Sequence, residues 1–163
     1  MISKRLAEKL NDQMNFENES AHLYLAMANF CKGANLNGAE SWMVAQFKEE
    51  KYHGKKIYDY LHEQGAEVTI TGFETPQNTY DNLLDVLEAS LAHEKKVTAR
   101  INELMQIAKE ENDYASEAFL QWFILEQVEE EDTLNDLIAR YHLYPQPAHL
   151  LLFDKDMGLR TQS

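Results

Sequence analysis

FLQWFILEQVEEED, residues 119–132, is the stretch on which the reading of the fold turns. Steps of three and four keep side chains on one face of a helix, and here they give Leu120, Phe123, Gln127, Glu130, Leu134, Leu137 and Tyr141. The stripe is apolar at both ends and polar in the middle. A helix that buries this face therefore buries Glu130, and a lone carboxylate in an apolar stripe normally sits at a boundary and reaches water.

Three other stretches carry the same interruption. The first stripe runs Leu6, Leu10, Met14, Glu17, Ala21, Tyr24, Ala28, Cys31. The second runs Met43, Phe47, Glu50, Gly54, Ile57, Leu61. The third runs Leu84, Leu87, Leu91, Glu94, Thr98, Ile101, Met105, Ala108. The pattern predicts helices over about 3–32, 38–64, 79–111 and 113–144, with Ser3 as an N-cap, Gly33 and Gly65 as stops and Pro145 closing the fourth. Residues 33–37 and the turn at Asn112 are short enough to make antiparallel hairpins, whereas 65–78 is long and broken by Gly72 and Pro76. The expected fold is all-α: a four-helix bundle of two hairpins joined by one long crossover, with a short fifth helix at about 148–156 carrying Leu150, Leu151, Leu152 and Phe153. That segment is expected to pack against another subunit. All 163 residues read as one domain.

In a bundle the middles of the helices share one height, so Glu17, Glu50, Glu94 and Glu130 should meet in one layer. His53 lies three residues after Glu50, and Gln127 three before Glu130. Carboxylates in a dry core lose several kcal/mol or take up protons, and four together repel. The stripes hold no Lys or Arg at that level. A pair of divalent cations resolves the conflict, and carboxylates with one imidazole suit iron, manganese or zinc. One such glutamate, or one Glu-x-x-His, is ordinary; four coincident interruptions are not.

Composition excludes several partners. With 28 acidic against 15 basic residues the formal net charge is −13, which disfavours nucleic acid and anionic membrane surfaces. No stretch is long and apolar enough to span a bilayer, residues 1–10 do not resemble a signal peptide, and the single Cys31 suits a reducing compartment; the expected location is the cytoplasm.

The pieces LNDQMNFE (10–17), LYLAMANF (23–30), EEKYHGKKIYDYL (49–61), HEKKVTARINEL (93–104) and FLQWFILEQVEEED resemble, in order and over nearly the whole chain, the ferritin family in its prokaryotic non-haem branch. The resemblance implies a ferritin-like bundle and an iron-storage protein with ferroxidase activity: Fe(II) is oxidised by O2 at an intrasubunit di-iron centre and Fe(III) is stored as mineral in a hollow shell of 24 identical subunits. It assigns Glu17, Glu50 and His53 to a first iron and Glu50, Glu94 and Glu130 to a second, with Glu50 bridging. It places Gln127 near the first iron and Tyr24 beside the centre, bonded to a ligand carboxylate. Glu49, Glu126 and Glu129, with Glu130, match a third iron site, for which a solvated acidic face is the plainer alternative. Trp122 matches a tryptophan tied to electron transfer, though packing explains it equally. Gln127 and Glu130 stand where a bacterioferritin has Glu-x-x-His, and Lys51 and Tyr52 follow Glu50 where a haem-ligating methionine belongs, so no haem is expected. Asn18 and Glu19 replace an apolar residue and a tyrosine common in ferritins. The layer alone leaves two other readings open: a di-iron oxidase or peroxidase without storage, and a purely structural bundle.

Overall fold

The computed structural model describes residues 1–144 and 147–160; Pro145 and the end of the GLRTQS tail lie outside the described residues. Among the described residues there are five helices and no strand. Ser3 starts α1 (Lys4–Gly33): its hydroxyl accepts from the Leu6 amide at 3.0 Å, satisfying one of the free N–H groups of a helix start. Asn35, with a φ of 60°, makes the left-handed turn that sends α2 (Asn37–Glu63) back beside α1. The second hairpin pairs α3 (Leu83–Glu110) with α4 (Tyr114–His142), and Asn112 makes the matching turn at φ 56°.

α3 begins at Leu83, four residues later than the sequence pattern suggests, because Asn82 and not Thr79 supplies the cap, accepting from Asp85 N at 2.9 Å. α4 likewise ends at His142, short of 144. The crossover is therefore longer, 64–82, and it lies along α1. Thr69 N and Thr71 N donate to the Asn11 and Asn15 side chains at 2.8 and 3.0 Å. Farther on, Phe73 meets His22 and Tyr80 meets Phe30, with ring centroids 5.1 and 5.4 Å apart. From Asn11 to Phe30 is roughly 28 Å of helix at 1.5 Å per residue, so the segment carries the chain from one end of the bundle to the other.

α5 (Pro147–Met157) docks on the start of α2 in its own chain, burying Phe153 and Met157. Leu36 gives α2 no side-chain cap, and Asp154 supplies one instead, accepting from Gly38 N at 3.2 Å and Ala39 N at 2.8 Å. The approach is close enough to require glycine: a Cβ on Gly38 would lie 1.7 Å from the Asp154 carbonyl oxygen. The part of α5 left for a neighbouring molecule is narrower than the whole segment, with Leu151 and Leu152 exposed.

The apolar core falls into two clusters. One gathers Met27, Cys31, Trp42, Met43, Leu87, Leu134 and the buried face of α5; the other gathers Leu6, Leu10, Ile57, Leu61, Ile101, Leu104 and Leu120. Glu17, Glu50, Glu94 and Glu130 belong to neither. In α3 the fully buried line is Leu83, Leu87, Ser90, Glu94, Val97, Ile101, Leu104 and Ala108. Leu84, Leu91, Thr98 and Met105 are only half-buried, because α3 packs on α1 as well as on α4 and its apolar face is broader than one line. Among the described residues no helix is long and apolar enough to cross a membrane.

Candidate metal centre

Each helix of the bundle delivers one carboxylate to mid-height. Glu17, Glu50 and Glu94 are fully buried, and Glu130 is 8 % exposed. Ligand atoms of Glu17, Glu50 and His53 lie within 4.8 Å of one another, and so do those of His53, Glu126 and Glu130. His53 Nδ1 comes 3.3 Å from Glu50 Oε2 but makes no hydrogen bond with it. Glu17 Oε2 and both Glu50 oxygens are also buried without a hydrogen-bond partner among the described residues. A buried acceptor left in this way costs about 1–3 kcal/mol, more if charged. Four such atoms converge from three residues without a hydrogen-bond partner, and a cation fits that set once the carboxyls give up their protons.

Burial, and next the Glu50 charge, pushes the Glu17 carboxyl well above the ordinary range. Burial and then Glu94 do the same to Glu50. Glu130 rises to about 8 through burial and then the charge on Glu94. Glu94 is raised by burial too, but hydrogen bonds oppose the rise: Tyr24 donates to it at 2.5 Å and Gln127 at 3.1 Å. Glu94 is in neither tight group, though it lies beside Glu50. Gln127 stands with Glu94: its amide finds acceptors in the Glu94 carboxylate, the Glu94 carbonyl and the Thr98 hydroxyl.

Two glutamines join the layer that the stripe pattern does not flag. Gln13 donates to Glu17 at 2.7 Å, and Gln46 donates to Glu130 at 2.9 Å. Each lies four residues before a layer glutamate in its own helix, which is the only trace they leave in the sequence. Arg100 donates to Gln13 at 2.6 Å while stacking 4.2 Å over Phe16, so a positive charge does reach the layer, through one amide. His93, next to Glu94, turns away to Ser20 at 2.6 Å; burial and then Lys96 lower it to about 4, which keeps it neutral.

The ferritin-like domain family matches residues 7–143. The chain belongs to the ferritin family. It is 40% identical to a bacterial non-heme ferritin of Staphylococcus haemolyticus over 99% of this chain and 98% of that one. Against the bacterial non-heme ferritin of Staphylococcus aureus the identity is 39% with the same coverage. An open-pore ferritin from the hyperthermophilic archaeon Archaeoglobus fulgidus superposes with a TM-score of 0.96 at 38% identity, covering 99% of this chain and all of that one. An engineered closed form of that ferritin gives 0.95 at 40% identity, with both chains fully covered.

Outside the ferritin layer a cavity of about 490 Å³ reaches His53, lined also by Ala45, Lys48, Glu49, Tyr52, Trp122 and Glu126. Of the residues matched to a third iron site, Glu126 and Glu130 converge with His53, and burial raises the Glu126 carboxyl. Glu49 faces the same cavity but is held by Arg160 at 2.7 Å, and Glu129 is exposed and outside both tight groups. Trp122 meets His53 and Tyr52 edge-on, with centroids 5.4 and 5.9 Å apart, beneath the Lys56 ammonium. Asn18 bonds back to the Met14 carbonyl at 3.0 Å beside Gly54.

Proposed function

We propose that this ferritin oxidises Fe(II) at a two-metal site inside each subunit, with Glu17, Glu50 and His53 holding one iron and Glu50, Glu94 and Glu130 the other. As a member of the ferritin family the chain is an iron-storage protein with ferroxidase activity. The observation that carries the reading is the convergence of Glu17, Glu50 and His53 ligand atoms that have no hydrogen-bond partner. Each Fe(II) gives one electron to O2, and the chain's part is to bind, orient and exchange protons. The unpartnered Nδ1 of His53 is the atom aimed at the first metal. Burial favours the protonated forms of Glu17, Glu50 and Glu130, so a cation that binds their carboxylates displaces protons. Tyr24 and Gln127 hold Glu94 in place, and Gln13 and Gln46 hold Glu17 and Glu130, as outer partners of metal ligands do.

Glu49, Glu126, Glu129 and Glu130 form a third iron site on the cavity side. The whole chain, 1–163, is one ferritin-like domain working in the cytoplasm. It binds no haem, since Lys51 and Tyr52 replace the required methionine. Copies assemble into a hollow shell, 24 in number, that retains Fe(III) as mineral; exposed Leu151 and Leu152 are apolar surface for such contacts.

Light scattering on metal-free protein after size exclusion, followed by anaerobic Fe(II) and then air, tests this. The expected result is a large assembly that oxidises iron quickly, retains many ions per subunit and has no Soret band. A monomer or dimer as the only species would leave an oxidase without storage; no oxidation at all would leave a structural bundle.

A further inference from the structure

We propose that Arg160 is a resident counter-cation of the third site, holding Glu49 until a metal ion displaces it and thereby setting that site's affinity. The inference rests on reading Glu49, Glu126, Glu129 and Glu130 as that site. Arg160 Nη2 donates to Glu49 Oε2 at 2.7 Å, and the two side chains are 20% and 27% exposed. The guanidinium is placed by more than its charge. It lies 4.5 Å over the Trp42 ring and donates to the Trp42 carbonyl at 3.4 Å. Two residues earlier Gly158 packs on Gly38, where a Cβ would lie 3.1 Å from the Gly38 Cα, and Asp154 caps α2. The chain beyond α5 is thus delivered to Glu49 by the same contacts that dock α5.

Glu49 also lines the cavity that reaches His53 and Glu126. An arginine does not lose its proton at any working pH, so its charge opposes an arriving cation throughout. A metal ion that takes Glu49 Oε2 competes with the guanidinium for that oxygen, and one that takes Oε1 still meets the guanidinium charge across the same carboxylate. A partly exposed ion pair of this kind is worth about fivefold in an equilibrium constant, small enough for a divalent ion to overcome and large enough to measure.

The test is calorimetric titration of Zn(II), which is redox-inert, into metal-stripped full-length protein: parent, Arg160→Gln and Glu49→Gln. Arg160→Gln should tighten the weakest of three binding classes about fivefold and leave the two tighter ones in place, whereas an arginine that merely supported the fold would on removal leave that class unchanged or weaken it. Glu49→Gln should remove that class. If Glu49→Gln removes it but Arg160→Gln leaves it unchanged or weaker, the proposal is wrong and the third site stands. If Glu49→Gln leaves all classes intact, the third-site reading fails, and the proposal with it.

Discussion

Replacing Glu130 by glutamine measures what the charged layer costs the metal-free subunit. Burial and the Glu94 charge raise the Glu130 carboxyl to about 8, against 4.5 for a free glutamate. Between those values the folded state keeps a proton that the unfolded chain has released, so stability falls as pH rises. The contribution is fully present below pH 4.5 and gone above about 8. At about 1.4 kcal/mol per pH unit, the interval from 4.5 to neutral amounts to roughly 3 kcal/mol. Glutamine keeps the shape and never ionises, and its amide oxygen still accepts from Gln46. For a chain of this size roughly 3 kcal/mol moves the melting temperature by about 6–12 °C. Metal-free parent and Glu130→Gln should be melted at equal subunit concentration from pH 4.5 to 8, with assembly checked throughout. The variant should melt higher at pH 7, the gap closing towards pH 4.5. Zn(II) should reverse the order, because a cation bound by the folded parent stabilises it by mass action. A parent at least as stable as the variant without metal at pH 7, or a gap indifferent to pH, refutes the argument that the layer demands cations. Glu94 is a poorer choice, since Tyr24 and Gln127 already donate to it.

Glu50→Ala and His53→Ala should each slow the rapid phase of Fe(II) oxidation by more than about a hundredfold, read from Fe(III) absorbance after mixing with air, while light scattering shows the parental assembly. Tyr24→Phe removes a donor from Glu94 and should weaken Zn(II) binding at one of the two tighter sites by roughly tenfold in calorimetry; an unchanged affinity would reduce Tyr24 to packing. Gly38→Ala places a methyl group against the Asp154 backbone and should strip hydrogen-exchange protection from Phe153–Met157 and from the Gly38 and Ala39 amides that Asp154 caps, while α1, α3, α4 and the rest of α2 keep theirs.

The layer was legible because each of its four glutamates stands where a stripe calls for an apolar side chain. The hairpin turns were legible too, from the short connections at 33–37 and Asn112. Gln13 and Gln46 were not, since a glutamine one position off a stripe has the same pattern as a solvated one, and only the fold brings them onto Glu17 and Glu130. The start of α3 falls later than the pattern places it because Asn82, and not a residue nearer Pro76, caps the helix. Asp154 and Arg160 act across more than a hundred residues of sequence, on α2, and no local periodicity announces such a partner.

The division of the core bears on how the subunit comes apart. Each of α1 to α4 passes through both apolar clusters, yet the clusters are separated by the layer at mid-height. Dry packing is therefore discontinuous along the bundle axis, and in the metal-free subunit the two ends are joined by helix backbone, by the crossover, which packs Val68 on one cluster and Tyr80 on the other, and by the hydrogen bonds of the layer. The expectation is that opening of one end disturbs the other less than it would in a continuous core. In the two-metal site proposed above, a cation pair held by residues of α1, α2, α3 and α4 would couple the two ends. The substrate thus serves as the keystone of the container that stores it, and slow amide exchange at both ends of the bundle should rise and fall together only when the junction is loaded.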